Sequence, residues 1–465
     1  MKAVFLGGGA HRLLPIMRSA LGCNVFDGGE IFLYDLNVPR AEAMARMIER
    51  TPEFKKDPCK ITYDKPIEKG LDGADFVSAV LLAGSPYTFI AGGERCLKHG
   101  FSGTDNISLN GAFLALKGAS VILGLAKKME KYCPTALFAD FANPVSVFSG
   151  AVNKYTKIKC LGICQGYQNH FYDLTRIMGK DEACYDYKVK VAGINHFSFI
   201  MEGSYKGKDI HKLVAAHIEK KNWKKVKWNK SIPLDATRRM QRGLEYFVRL
   251  FNEFDALLFS NEGDGIMHVF HEDYMEDFKK GWHEKNCREI MGVLKKRTEA
   301  RAAEDMKFKA LAEKDLDDRF WKTYPERNSN FDRHDNDIIS KLLRAVAGIR
   351  EEEIVGSKPN EGAVTGFEDR ILLEFSQRIY KKKITPEKNL YVPGTLYGLL
   401  SALANYQTLL ADAIATDDPK KLYHALYAYP VKQGYSETRQ LWKELLEINR
   451  NEISKSLYRM KDYIR

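Results

Sequence analysis

The chain has 465 residues, 45% of them hydrophobic and 29% charged, with a formal charge of +11. That is the profile of a soluble globular protein with room for two or three domains, and no apolar run approaches the ~20 residues that a membrane span needs. Eight scattered cysteines without a C-x-x-C pair exclude a disulfide scaffold, and most of them read as small core residues of a reducing compartment.

The N-terminus, MKAVFLGGGA, runs from a strand (residues 2–6) into a glycine turn (7–10) instead of a signal peptide's cleavage region, so a cytoplasmic protein is expected. A helix follows through residues 16–21, then a strand over 31–34 that ends at Asp35. Glycines let backbone approach a pyrophosphate, and the helix N-terminus supplies N–H donors. An acid after the second strand can accept from ribose hydroxyls. Gly7, Gly9, Ala10 and Asp35 are therefore candidate dinucleotide-binding residues. The pattern is G-x-G without a third glycine, because Arg12 stands where it would fall.

The alternation continues with a helix over 40–50, strands over 60–63 and 75–82, and helices over 89–99 and 109–132. Between those helices lies the polar loop GFSGTDNISLNG, of a kind that lines sites. Three strands then follow, ALFADF, KCLGI and YKVKVA, each leading into a polar cluster: Ala142-Asn143-Pro144, Gly162-Ile163-Cys164-Gln165-Gly166 and Gly193-Ile194-Asn195-His196. In a parallel sheet such ends open onto one crevice, where a thiolate and an imidazole would make a metal site.

After Gly193 the texture changes. A strand is expected over 197–205, helices over 210–221 and 235–254, an exposed helix over 297–319 and a polar loop over 322–335. A strand over 371–375 and helices over 395–416 and 420–429 complete the second half. The expected fold is α/β: a Rossmann-like doubly wound NAD-binding domain (residues 1–192) followed by a mixed α+β substrate domain (residues 193–465), in a lactate/malate dehydrogenase-like arrangement.

The ordered set GGGA, LYDLN, ADFVSAVLLAG, LKHGFSGTDN, MEKYCPTALFADFANPVSV, GICQG, GINHF and ANYQTLLADAIATDDPKKLYHALYAYPV resembles glycoside hydrolase family 4, the NAD- and divalent-metal-dependent glycosidases. The resemblance covers nearly the whole chain. It implies a redox-assisted elimination on a small carbohydrate: NAD takes hydride from C3, a divalent cation, typically Mn2+, polarises the C3 oxygen, and a base removes the acidified C2 proton. The C1 group leaves, water adds and the hydride returns. Cys164 and His196 match the family's metal ligands. Asn143, Asn195 and Asp105 match residues around the sugar, Asn143 lying beside the nicotinamide; read alone, Asn143 would equally cap the helix that starts at Pro144. A homodimer or homotetramer is implied as well.

Two positions depart from the family pattern. The residue after the cysteine is usually His, Asp or Asn, a candidate general acid, and here it is Gln165, which cannot donate a proton at neutral pH. The family's C2 base is a Tyr or Asp of the second domain, for which Asp264, in NEGDGIMH, is the first candidate and Tyr246 the second. As ordinary structure, Asp264 would be a turn residue and Tyr246 a core residue. The favoured reading is a glycosidase for α-linked, non-phosphorylated glycosides, and the basic balance would tolerate a uronic acid. A dehydrogenase of the lactate/malate type is the alternative enzyme, although no clear histidine–acid pair with a clamping arginine is present. Gln165 keeps open a non-catalytic NAD- and sugar-binding protein. Nucleic-acid binding rests only on a pI of about 9.0 and lacks a recognition motif.

Overall fold

A computed structural model describes residues 1–464 other than 12, 165–166, 183–185, 230–233, 260–262, 274–291, 293–294, 297–298, 301–302, 315, 324–337 and 432–433. The first half alternates as expected: β1 (Lys2–Leu6), α1 (Leu13–Leu21), β2 (Glu30–Tyr34), α2 (Val38–Glu49), β3 (Lys60–Thr62), α3 (Ile67–Leu71), β4 (Phe76–Ala79), α4 (Pro86–Lys98), α5 (Leu109–Tyr132), β5 (Leu137–Asp140), α6 (Val145–Tyr155), β6 (Lys159–Gly162) and α7 (Tyr167–Ile177). These six strands pair in parallel in the order β3-β2-β1-β4-β5-β6, the doubly wound arrangement that leaves a crevice beyond the carboxyl ends where strand order reverses. Every residue of β4 and β5 is buried, as unbroken apolar strands covered by helices on both faces should be.

The second half contributes β7 (Tyr187–Ile194), β8 (Phe197–Tyr205), β9 (Lys208–Asp209), β10 (Glu352–Pro359), β11 (Leu372–Tyr380) and β12 (Lys383–Pro386). Among the described residues the twelve strands form one sheet, which continues from β6 as β10-β11-β7-β8-β9, with β12 against β11. This corrects one expectation. The strand YKVKVA is not the third of three parallel neighbours: β10 and β11 lie between it and β6, and three successive antiparallel pairings make β7 run against β6. The division expected at 192/193 falls inside β7, which pairs with β8 and β11. Nor did the sequence patterns give β10, which joins the two halves, or the helices Ile338–Val346 and Tyr435–Asn449.

One transverse row of paired residues crosses the junction: Gly162 of β6 opposite Ser357, Ser357 opposite Glu374, Glu374 opposite Gly193, and Gly193 opposite Ser198. The glycines at β6 and β7 are steric requirements. A Cβ on Gly162 would lie 2.4 Å from the Val145 carbonyl oxygen, and one on Gly193 would lie 2.5 Å from Ser198 Cα.

The 24-residue α5, although interrupted by Lys117, is long and apolar enough by length and composition to cross a membrane, but 78% of its apolar window is buried inside the protein. It packs against α4, α6 and the helices Tyr397–Thr416 and Tyr435–Asn449, as the core helix of a large α/β domain does. Its start is fixed by Ser108, whose Oγ accepts from the Gly111 N–H and donates to the Thr104 carbonyl at 2.7 Å.

Asp140, the last residue of β5, is fully buried. Its Oδ1 accepts from the Ala142 N–H at 3.1 Å, and its Oδ2 has no partner. Burial pushes its pKa well above the ordinary carboxylate range, against the smaller lowering effect of that hydrogen bond. An acid whose folded pKa is raised loses stability as pH climbs from its unfolded value, about 3.9, toward the folded one, at up to ~1.4 kcal/mol per pH unit. Asp140→Asn keeps the acceptor for Ala142 and cannot ionise. Thermal unfolding should therefore show a stabilisation by this substitution that is larger at pH 8 than at pH 5; a pH-independent difference would contradict the assignment.

Candidate functional site

At the carboxyl end of β1 the chain turns through Gly7-Gly8-Gly9-Ala10. The Gly7 and Gly8 N–H groups both donate to the Tyr34 carbonyl at 2.9 Å, pinning the turn to the end of β2. Gly7 has φ +77°, and a Cβ there would sit 2.2 Å from the Val80 carbonyl oxygen, so only glycine fits. Asp35 follows β2 directly: its Oδ2 accepts from the Gly9 N–H at 3.0 Å and its Oδ1 from the Asn37 N–H at 2.9 Å. Ionised carboxylate oxygens each hold further lone pairs, so Asp35 can brace the turn and still accept from hydroxyls. A Cβ on Gly9 would reach within 2.5 Å of Arg40 Cβ and 2.9 Å of that carboxylate. A cradle closed to any side chain, beside an acid at the second strand's end, fits a dinucleotide. Over it lies a helical stretch of the second half, where Asp305 accepts from Arg40 Nε at 3.0 Å and Phe308 stacks on His11 at 4.3 Å.

Cys164, two residues past the end of β6, and His196, in the β7–β8 turn, come together: Cys164 Sγ lies 3.5 Å from His196 Nε2. That separation lets both donors bind one ion with bonds of roughly 2.1–2.3 Å. Among the described residues no three His, Cys, Asp or Glu side chains converge on one point, so the pair would leave positions open for substrate and water. Asn195 and His196 alone link β7 to β8, since Ile194 pairs with Phe197. His196 has φ +67°, a left-handed conformation that costs a non-glycine residue roughly 1–2 kcal/mol. A tight hairpin would take glycine or asparagine there; the histidine is held in place instead, with a Cβ on Gly265 only 2.1 Å from its carbonyl oxygen. Buried His170 stands edge-on to Phe259 at 4.8 Å; burial, and secondarily His196, pushes its pKa down to about 3, so it is neutral.

A chain of amides runs beside this pair. Asn143 Nδ2 donates to Asp105 Oδ2 at 2.8 Å, and Asn195 Nδ2 donates to Glu374 Oε2 at 2.6 Å. Asn106 joins the two, its Nδ2 donating to Asn195 Oδ1 at 2.5 Å and to Asn143 Oδ1 at 3.4 Å. Ser198 Oγ donates to the other Glu374 oxygen at 2.9 Å. Glu374 is fully buried, and desolvation raises its pKa despite the hydrogen bonds from Asn195 and Ser198. Asn143 does not cap α6: Pro144 occupies the cap position without a side-chain cap bond, and the Asn143–Pro144 peptide is cis. The structure thus brings together Asp105, Asn143, Asn195, Cys164 and His196.

The acid and base candidates fare differently. Gln165 lies outside the described residues. Asp264 stands in the helical turn Gly263–Ile266, whose Gly265 packs on the His196 carbonyl; its side chain lies outside the described atoms. Tyr246 is 3% exposed, with its ring stacked on Phe270 at 5.5 Å and Arg242 over it at 4.9 Å, which is the core packing foreseen as its ordinary role. Asn106, Glu374, Ser198 and His170 were not singled out in the sequence. The lone acid in the apolar run ILLEFS was a usable signal for Glu374, because an unpaired acid in a buried strand needs partners.

Comparison with known proteins bears on the whole chain. The patterns described as family 4 glycosyl hydrolase and family 4 glycosyl hydrolase C-terminal domain match residues 2–179 and 191–431. The chain is 23% identical to an α-galactosidase of Bacillus subtilis over 433 residues (92% of this chain, 93% of that protein). It is 23% identical to an α-galacturonidase of Thermoanaerobacter italicus over 474 residues (96% of each). The fold is similar to that of the Thermotoga maritima 6-phospho-β-glucosidase, solved with manganese, NAD+ and glucose-6-phosphate (TM-score 0.74, 18% identity, 98% of this chain and 100% of that one). It is also similar to a 6-phospho-α-glucosidase from gut microorganisms solved with NAD and Mn2+ (TM-score 0.76, 17% identity, 97% and 98%). With both halves matched in order along most of its length, the chain belongs to glycosyl hydrolase family 4.

Proposed function

We propose that this protein is an NAD- and divalent-metal-dependent glycosidase that cleaves a small α-linked, non-phosphorylated glycoside by oxidation at C3 and elimination across C1 and C2. The observation that carries the reading is the 3.5 Å approach of Cys164 Sγ to His196 Nε2 from two strand ends of opposite direction. Relatives named α-galactosidase and α-galacturonidase, aligned over nearly the full chain, support an α-linked substrate without a phosphate. When bound, NAD supplies reversible hydride removal at C3, and Mn2+ or another divalent first-row ion supplies polarisation of the C3 oxygen.

The chain's own residues hold and orient. Gly7, Gly9, Ala10 and Asp35 receive the dinucleotide at the end of β1 and β2, while Cys164 and His196 grip the cation. Asn143, Asn195 and Asp105 fix the sugar hydroxyls in the geometry that proton removal requires. Asp264, on the turn packed against His196, takes the C2 proton, with Tyr246 as the second candidate. Gln165 can hydrogen-bond a leaving group without protonating it. The reading carries with it a homodimer or homotetramer in the cytoplasm, where a thiolate ligand stays reduced.

Two measurements test it. Incubation with NAD, Mn2+ and a panel of nitrophenyl α-glycosides in D2O should release sugar that carries deuterium at C2; release without exchange would exclude the elimination route. Cys164→Ser removes the thiolate at nearly constant size, and His196→Asn removes the imidazole with a residue that tolerates the left-handed backbone. Each should weaken Mn2+ binding at least tenfold, read as the Mn2+ concentration that raises the melting temperature, while NAD still protects. An unchanged Mn2+ response in both variants would remove these residues from the metal site.

A further inference from the structure

The amide chain contains one atom that the site as described leaves unused. Asn106 is 2% exposed, and its Oδ1 is buried with no hydrogen-bond partner. Which way an asparagine amide points is ordinarily a matter of inference, but here both ends of the chain are anchored. Asp105 and Glu374 accept from the Nδ2 groups of Asn143 and Asn195, and Ser198 Oγ donates to the second Glu374 oxygen. The oxygens of both amides therefore face Asn106, at 3.4 and 2.5 Å, and Asn106 must answer with its own Nδ2. Turning the Asn106 amide over would set oxygen against oxygen on both sides. Its Oδ1 is thus turned away from the amide chain and finds no partner there.

We propose that Asn106 is a specificity-determining residue whose Oδ1 accepts a hydrogen bond from one hydroxyl of the bound glycoside. The proposal rests on the glycosidase reading. A buried carbonyl without a donor costs free energy, and a ligand that brings the donor removes that cost. Asn195, bonded to Asn106, directly precedes His196, so the donor comes from a molecule held beside the Cys164–His196 pair. Sugar hydroxyls are donors that such a molecule brings. The loop is built to hold this residue still: Asn110 Nδ2 donates to the Gly103 carbonyl at 2.9 Å, Ser108 Oγ donates to the Thr104 carbonyl, and Tyr406 Oη donates to the Ser108 carbonyl at 3.2 Å. Glu374 joins the same network, accepting from Asn195 Nδ2 while Asn106 Nδ2 donates to Asn195 Oδ1.

A polar site that reserves a buried acceptor for one hydroxyl rejects the sugar lacking it far more strongly than an apolar pocket would. The test uses the protein loaded with NAD and Mn2+ and measures dissociation constants for galactose, galacturonic acid, glucose and the monodeoxy derivative of each at every ring hydroxyl. Wild type should lose at least tenfold in affinity when one particular hydroxyl is removed. Asn106→Ala should bind the parent sugar at least tenfold more weakly and should no longer distinguish that one deoxy sugar, while its discrimination at the other hydroxyls and its NAD affinity remain. Asn106→Ser, which keeps a hydroxyl donor for Asn195, serves if the alanine variant does not fold, with the same expectation. Unchanged discrimination in a folded variant overturns the proposal and leaves the glycosidase reading intact. A loss that falls on NAD affinity also overturns it, because the donor is then the nicotinamide amide. A wild-type protein that binds none of these sugars and cleaves none of the nitrophenyl α-glycosides overturns both.

Discussion

The site depends on a register. Five residues on five adjacent strands, Gly162, Ser357, Glu374, Gly193 and Ser198, are locked opposite one another by sheet hydrogen bonding. Because β6 and β7 run in opposite directions, their carboxyl ends would ordinarily sit at opposite edges of the sheet. The row instead brings the last residue of β6 level with the penultimate residue of β7, with two strands interposed at about 4.8 Å each. Cys164 and His196 lie two and three residues beyond the row's ends, which is how chain segments so differently directed meet at 3.5 Å. A one-residue slip in any of the pairings would turn a strand's side chains to the other face and separate the thiol from the imidazole. Glycine at both ends of that span follows from the same constraint, because side chains there would collide with backbone.

Glu374 couples this register to the chemistry. It lies in the middle of the row, and its two oxygens hold Asn195 and Ser198, which flank His196 on either side of the turn. A buried carboxylate is a poor stabiliser of a fold, since desolvation opposes its hydrogen bonds. Its use here is directional: it fixes which way an amide points and braces a histidine whose backbone would otherwise relax out of the left-handed region. Strain at His196, in the β7–β8 turn, and desolvation at Glu374, on the neighbouring β11, are thus linked costs, met by the apolar packing of β7, β8 and β11 around them.

The sequence disclosed those parts whose physics is local. The glycine turn and Asp35 are set by contacts within some thirty residues, and alternating apolar strands and helices announced the doubly wound half. Cys164 and His196 were legible through their motifs, but the reason given for their meeting, adjacent ends of a parallel sheet, was not the one that operates. What links them is β10 and β11, some 160 residues further along the chain, and no local pattern in EEEIVGSKP says that it will pair with KCLG through a single residue. Asn106 was hidden for a related reason. A polar residue in a polar loop looks like solvent-facing loop until Asn143 and Asn195, 37 and 89 residues away, converge on it.

The two binding elements also differ in how much freedom they retain. The dinucleotide turn is held by backbone donors to Tyr34 and by a carboxylate brace, and glycine excludes side chains from it; its shape is set before anything binds. The Cys164–His196 pair sits on one strained turn and one short loop past β6, and were it to hold a divalent ion, coordination positions would be left open. On the proposed reading, substrate oxygens would fill those positions, so that cation and sugar would each favour the other's binding. The chain of amides from Asp105 to Glu374 runs beside that pair and is held at fixed distances by its own hydrogen bonds.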